Sequence, residues 1–235
     1  MKIALLNGSP KTKNSSSEIL LADLKRCLSK PPDTEIAVLP EACTARPEIL
    51  ETALRHSTVP EETVKNLQTA DAWVISCPLY VDGIPGHLLS CLAELEKYNR
   101  ENTVGKNTTE KNAPSCQPGI YVYGIVNCGF YEGIQAETAL EILENWCAKA
   151  GLIWGGGIGV GGGGAIAMMN SPKPGTGPKA PIDKALSAMS NRILCREAQP
   201  NCYVSVAFPR FLYKMAAQMG WRQLIRANGG RAKDL

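Results

Sequence analysis

The stretch Lys2-Ile3-Ala4-Leu5-Leu6-Asn7-Gly8-Ser9-Pro10 opens the chain and decides its fold. Residues 2–6 form a short apolar run, and the turn residues Asn7 to Pro10 end it, which is typical of a buried β-strand. Ser15, Ser16 and Ser17 then offer N-cap hydroxyls to an amphipathic helix. A buried strand that leads directly into a capped helix predicts a βα unit, the repeating element of a parallel sheet.

Four further apolar runs predict the remaining strands, at residues 35–39, 72–77, 119–128 and 152–160. Helical patterns lie between most of them, and the clearest covers residues 132–150, which Gly151 ends. Residues 41–59 are less regular and predict an excursion with a short helix over 47–55. The alternation predicts an α/β fold: a doubly wound, five-stranded parallel sheet with helices on both faces.

The last seventy residues differ in character from this alternating pattern. A Pro/Gly-rich loop spans residues 170–181, and two helical patterns follow near 182–196 and 210–227. We predict that residues 166–235 form this loop and a C-terminal helical extension packed on the domain of residues 1–165. Residues 211–222 are amphipathic and basic, which favours packing in a core or against a second subunit over attachment to a membrane surface.

Composition excludes several classes of protein. The formal charge is only +3, from 25 Lys and Arg against 22 Asp and Glu, which argues against a dedicated nucleic-acid binder. No apolar run approaches the roughly 18 residues of a membrane span, and the first run is too short for a signal peptide. The nine cysteines contain no C-x-x-C pair and no zinc spacing, so we expect reduced thiols, no metal site and a cytoplasmic protein.

Ligands of open parallel sheets lie outside the carboxyl ends of the strands, which selects the loops after Leu6, Cys77, Cys128 and Val160. The first of these, residues 7–17, has hydroxyl side chains, two lysines and no acid ahead of a helix N-terminus. Backbone N–H groups and hydroxyls in that position suit a terminal phosphate. An ordinary serine-capped turn without a ligand fits the same residues.

The second and third loops carry aromatic and glycine residues. Leu79, Tyr80 and Val81 lie between two prolines and suit one face of a conjugated ring, although Tyr80 at the rim of the core is the alternative. Gly129 has no side chain, which lets a ligand come close to the backbone. Successive N–H groups near it can then bind the carbonyl oxygens of a heteroaromatic ring. No base accompanies Cys128, which favours an inert thiol over a nucleophile.

One motif is misleading. Residues 157–162 satisfy the pattern G-x-G-x-x-G, and Asp183 follows at a suitable distance. A dinucleotide-binding fingerprint needs a helix that opens at those glycines and a strand before the acid. Neither is predicted here. We therefore interpret these glycines as part of a loop whose backbone can lie close to a ligand at the carboxyl ends of the strands.

Together the three loops resemble those of the flavodoxin-like NAD(P)H-dependent FMN reductases. The similar segments are Leu6 to Lys11, Ala70 to Tyr80, Asn127 to Phe130, Glu137 to Leu140 and Gly151 to Gly157. The resemblance implies that Ser9, Lys11, Ser15, Ser16 and Ser17 hold the FMN phosphate. It also implies that Pro78, Leu79, Tyr80 and Val81 contact the isoalloxazine ring, and that Asn127, Cys128, Gly129 and Phe130 face its pyrimidine side.

The resemblance further implies an enzyme that passes a hydride from NAD(P)H to flavin N5 and on to a quinone, a nitro or azo compound, or a flavin. The flavin carries the chemistry, so no catalytic side chain is expected. Members of the family commonly form homodimers in which a second subunit completes the flavin pocket. Two alternatives stay open: a flavodoxin-type electron carrier, and a degenerate member that binds a partner without flavin.

Overall fold

The computed structural model describes residues 1–29, 46–106, 119–166 and 175–231. Within them, six strands form one parallel sheet in the order β2-β1-β3-β4-β5-β6. The strands are β1 (Lys2–Asn7), β2 (Glu48–Ala53), β3 (Ala72–Pro78), β4 (Tyr121–Asn127), β5 (Ile153–Val160) and β6 (Cys202–Val204). The α/β class and the parallel sheet are therefore confirmed.

Helices cover both faces of this sheet. They are α1 (Ser16–Leu28), α2 (Glu61–Gln68), α3 (Gly86–Lys106), α4 (Glu137–Ala150), α5 (Gly163–Ile166), α6 (Ala180–Cys195) and α7 (Arg210–Ala227). One core cluster lies between the sheet and α2, α3 and α4, and a second lies between the sheet and α1 and α6. None of the described helices is long and apolar enough to cross a membrane.

The prediction of five strands is wrong, because the sheet has six. The predicted helix over residues 47–55 is also wrong, since that segment contains β2, and the predicted strand at 35–39 lies outside the described residues. Both β2 and β6 are edge strands without a fully buried residue. An edge strand needs few apolar side chains, so neither segment has the continuous apolar run that marks the central strands.

The order of the strands reverses at one place in the sheet. The chain passes from β1 outward to β2 and then returns to β3, on the other side of β1, before it continues to β4 and β5. The crossovers that leave β1 and β3 therefore diverge to opposite faces, which opens a crevice beyond the carboxyl ends of these two strands. The loops after β1 and β3 border this crevice.

A glycine allows the segment just before α4 to lie against β5 and β6. A Cβ atom added at Gly133 would overlap the carbonyl oxygens of Gly159 and Val204, which belong to β5 and β6. At Gly86, the first residue of α3, an added Cβ meets nothing within 4 Å. Gly133 therefore lies where the backbone of β5 and β6 leaves no room for a side chain.

We predict that Gly133→Ala lowers the free energy of unfolding by about 1–3 kcal/mol or more, because the surrounding backbone has to move. The matched control is Gly86→Ala, which we expect to leave stability within about 1 kcal/mol. Urea denaturation followed by circular dichroism measures both. Equal stability of the two variants would contradict the close packing of Gly133 against β5 and β6.

Candidate functional site

A cleft of about 160 Å³ lies at the carboxyl ends of β1, β3, β4 and β5. Its lining residues come from the four loops after those strands: Ser9, Lys11, Ser15, Ser16, Ser17, Pro78, Leu79, Tyr80, Asn127, Gly129, Gly163 and Gly164. Ten of the thirteen predicted site residues are among them. Of the other three, Val81 and Phe130 are exposed at the surface, whereas Cys128 is buried.

The conformation of the loop after β1 is fixed by hydrogen bonds between its own side chains and backbone. The Asn7 Oδ1 atom accepts the Ser9 N–H at 3.0 Å, and Ser9 Oγ accepts the Lys11 N–H at 3.3 Å. Ser15 caps α1, since its Oγ accepts the Glu18 N–H at 3.1 Å. The first N–H groups of a helix have no partner within the helix. Those of Ser16 and Ser17 therefore remain available to an anion beside the positive end of the helix dipole.

Two hydroxyls of this loop are used inside the protein. The Ser16 hydroxyl donates to the Gly163 carbonyl at 2.6 Å, and the Ser17 hydroxyl donates to Asn127 Oδ1 at 2.8 Å. Their hydroxyl hydrogens are therefore not free for a phosphate, and what these two residues offer is mainly their backbone N–H groups. The same two bonds tie the loop after β1 to the loops after β4 and β5.

The loop after β3 is a strained two-residue turn. Tyr80 and Gly83 exchange backbone hydrogen bonds of 2.9 and 3.0 Å, while Val81 and Asp82 between them have φ of 48° and 59°. A left-handed conformation is rare for a β-branched residue such as valine and costs free energy. The turn leaves Tyr80 46% exposed at the cleft, so this side chain is not part of the core.

In the described part of the chain, the loop after β4 has three occupied carbonyl groups, whereas two of its N–H groups are free. Gly163 N–H donates to the Cys128 carbonyl at 2.7 Å, Gly162 N–H to the Phe130 carbonyl at 2.6 Å, and the Tyr213 hydroxyl to the Gly129 carbonyl at 2.7 Å. Among the described residues, nothing accepts the N–H groups of Gly129 and Phe130. This arrangement turns the loop into a hydrogen-bond donor, as the sequence predicts for a heteroaromatic ligand.

Cys128 lies beneath this loop and does not line the cleft. Its thiol is near the carbonyl oxygens of Glu132, at 3.5 Å, and Phe130, at 3.7 Å, and its N–H donates to the Val160 carbonyl. Burial raises the pKa of the Cys128 thiol, which keeps it protonated at neutral pH. These contacts favour the inert thiol over the nucleophile.

Four residues that contribute to the site are not predicted from the sequence. Gly163 and Gly164 line the cleft from the segment after Val160. Its position at the carboxyl end of a strand selects this segment, but the two glycines have no side chains that would indicate a role in binding. Tyr213 reaches the site from the first turn of α7. Arg55 contacts the loop after β1 from the residues that follow β2, where the predicted helix was wrong.

We predict that Ser17→Ala lowers the free energy of unfolding by about 1–3 kcal/mol, because it leaves the buried Asn127 side-chain carbonyl without its donor. Ser17 and Asn127 are 1% and 7% exposed, respectively, so water does not replace the hydroxyl easily. In a double-mutant cycle with Asn127→Ala, we expect a coupling of about 0.5–3 kcal/mol in urea denaturation. Additive effects would contradict a direct link between the two loops.

Comparisons with known proteins agree with this geometry. Residues 1–109 match the sequence model of the family of NADPH-dependent FMN reductases. No curated protein sequence matches the chain. The matched residues contain the loops after β1 and β3, whereas the loop after β4 lies beyond them. The predicted resemblance to this family, whose members use FMN and NADPH, is therefore confirmed over residues 1–109.

Two solved structures share the fold at low sequence identity, and a third has a lower TM-score. A flavone reductase has a TM-score of 0.55 and 12% identity, with 86% of this chain and 66% of that chain covered. An NADH:FMN oxidoreductase in its apo form has a TM-score of 0.50 and 11% identity, with 83% and 87% covered. The Trp repressor binding protein from Bacillus subtilis has a TM-score of 0.48 and 14% identity, with 82% and 97% covered.

Proposed function

We propose that this chain, whose first 109 residues match the NADPH-dependent FMN reductase family, is an FMN-dependent NAD(P)H oxidoreductase. Its acceptor is a small molecule of the quinone, nitro, azo or flavin class. The observation that carries this proposal is a cleft that brings together the N-terminus of α1, an exposed aromatic turn and the N–H groups of Gly129 and Phe130.

The chemistry of the cleft fits the phosphate and the ring of FMN. The N–H groups of Ser16 and Ser17, together with Ser9 and Lys11, would hold the phosphate. The turn that presents Tyr80 and the exposed Val81 would contact the flat ring. Pro78, Leu79, Asn127 and Phe130 complete these contacts in the proposal, whereas the buried Cys128 supports the loop from beneath.

Bound FMN supplies hydride transfer from NAD(P)H to the acceptor. The N–H groups of Gly129 and Phe130 would hydrogen-bond the ring carbonyl oxygens and stabilise the negative charge that develops there on reduction. Preorganised donors of this kind need no reorientation during the reaction, because their loop is already fixed through its occupied carbonyl groups. No side-chain acid is required for this role.

The size of the cleft supports exchange of substrates over one side of the ring. Its volume of about 160 Å³ is below the roughly 300–1,000 Å³ of a pocket that encloses a drug-sized ligand. Tyr80, Val81 and Phe130 are exposed beside it. We infer that the ring is only partly enclosed by one chain, which leaves space for a nicotinamide and an acceptor to occupy the same position in turn.

Steady-state assays separate this enzyme from an electron carrier. We predict that the purified chain, reconstituted with FMN under anaerobic conditions, oxidises NADH or NADPH over many turnovers with a quinone or nitro compound, as followed at 340 nm. The double variant Ser9→Ala/Lys11→Ala should lose FMN and turnover together. Turnover that requires a separate reductase would favour the flavodoxin-type carrier, and a chain that cannot be reconstituted with FMN would contradict both.

We also propose a cytoplasmic location, where NAD(P)H is maintained. The cysteines Cys77, Cys91, Cys128 and Cys147 are buried free thiols. Burial raises the pKa of the Cys77 thiol to about 12. Protonated, buried thiols of this kind act as small apolar core residues and suit a reducing compartment.

A homodimer is the further part of the proposal, and α7 supports it. The helix has no buried residue, and it exposes five large apolar side chains: Phe211, Met215, Met219, Trp221 and Leu224. Its described contacts with the domain lie at its first turn, where Tyr213 bonds to Gly129 and Arg210 pairs with Glu132 at 2.6 Å. An exposed apolar surface of this kind is typical of an interface.

The pattern of α7 favours a second copy over a membrane surface. Met215 and Leu224 are nine residues apart, which at about 100° per residue places them on opposite sides of the helix. A flat bilayer covers one side only. The tail from residue 210 to residue 235 has six of the 25 Lys and Arg and one of the 22 Asp and Glu, so its formal charge is +5 and that of residues 1–209 is −2. The tail therefore complements the remainder of another chain.

We predict that the unmodified chain sediments as a dimer and that Met215→Glu/Met219→Glu sediments as a monomer, because two charges replace buried apolar contacts. The matched control, Gln218→Glu/Gln223→Glu, adds the same charge to exposed polar positions of α7 and should remain dimeric. Analytical ultracentrifugation at micromolar concentration measures all three. A monomeric unmodified chain, or a dimer that persists in the first variant, would contradict this role of α7.

A further inference from the structure

Arg55 is carried to the phosphate side of the cleft by the pairing of two strands. In the parallel register of β1 and β2, Asn7 lies opposite Ala53, and the Leu54 N–H donates to the Asn7 carbonyl at 2.8 Å. Both strands end directly after this pair. Arg55 therefore starts beside the loop that begins at Gly8, although it is about 45 residues away in sequence.

The guanidinium group of Arg55 holds this loop through two successive carbonyl groups. Nε donates to the Lys11 carbonyl and Nη2 donates to the Thr12 carbonyl, both at 3.3 Å. The planar fork of an arginine suits two acceptors in fixed positions, which the single ammonium of a lysine does not match. Because C=O and N–H point in opposite directions across a trans peptide, these bonds also fix the orientation of the following N–H groups.

The loop that Arg55 holds carries two further cations. Lys11, Lys13 and Arg55 belong to one stretch of surface, and none of them forms an ion pair with a carboxylate among the described residues. Three cations on this loop and beside it give the surface a positive charge, which attracts an anion. Arg55 uses its side chain to bind two backbone carbonyl groups next to two lysines that have no carboxylate partner among the described residues. This arrangement points to a loop that binds an anion.

We infer that Arg55 is a positioning residue for the phosphate group of FMN, and this inference rests on the proposed function. Arg55 is not among the residues that line the cleft, so it acts through the loop rather than by touching the flavin. It holds the carbonyl groups of Lys11 and Thr12 away from the anion and keeps Lys11 at the cleft. Its effect is therefore confined to ligands that carry the phosphate.

Riboflavin, which has the same ring but no phosphate, makes this inference testable. We expect Arg55→Ala to weaken FMN binding about tenfold, which corresponds to about 1.4 kcal/mol, and to leave riboflavin binding within about twofold. Arg55→Lys keeps the charge but not the fork, so it should recover only part of the loss. Titration of the apoprotein, followed by quenching of flavin fluorescence, measures each dissociation constant.

The control is Arg100→Ala, which removes an arginine that is 68% exposed on α3 and should change neither affinity. Equal weakening of FMN and riboflavin binding in Arg55→Ala would show a general structural role and overturn the inference. An unchanged FMN affinity, or full recovery in Arg55→Lys, would also overturn it. If the unmodified chain binds neither flavin, the proposed function fails as well, whereas the other outcomes leave the proposed function standing.

Discussion

The reversal of strand order beside β1 is the constraint on which the rest of the structure depends. Because β2 and β3 flank β1, the crossovers after β1 and β3 leave toward opposite faces of the sheet, and a crevice opens between them. The loops at this edge need not cover a core, so they can present N–H groups and exposed side chains. The hydrogen bonds of Ser16 and Ser17 then join the edge loops of β1, β4 and β5 into one wall.

Much of this could be predicted from the sequence, because the central strands and the helices that cover them have strong periodic patterns. The run at residues 2–6, the turn that follows and the three serines identify β1, its loop and α1. The same rule of strand ends selects the loops that form the cleft. Ten predicted residues line it since loops at one edge of a parallel sheet are neighbours.

The rest could not be predicted, for physical reasons specific to each element. The edge strands β2 and β6 bury too little apolar surface to leave a pattern. Gly163 and Gly164 act through their backbone, and Arg55 reaches its loop only through the register of β1 with β2. For α7, the apolar residues in the sequence do not indicate whether they contact the same chain or another surface.

The link between Ser17 and Asn127 has a consequence for how a ligand would enter. This hydrogen bond joins two segments that lie 110 residues apart in sequence, and it is present without a ligand. The cleft is therefore preformed, which lowers the entropic cost of binding a ligand. A preformed binding site also keeps its shape when the ligand dissociates. In the proposed function, FMN would therefore bind and leave without a change in how these two loops are joined.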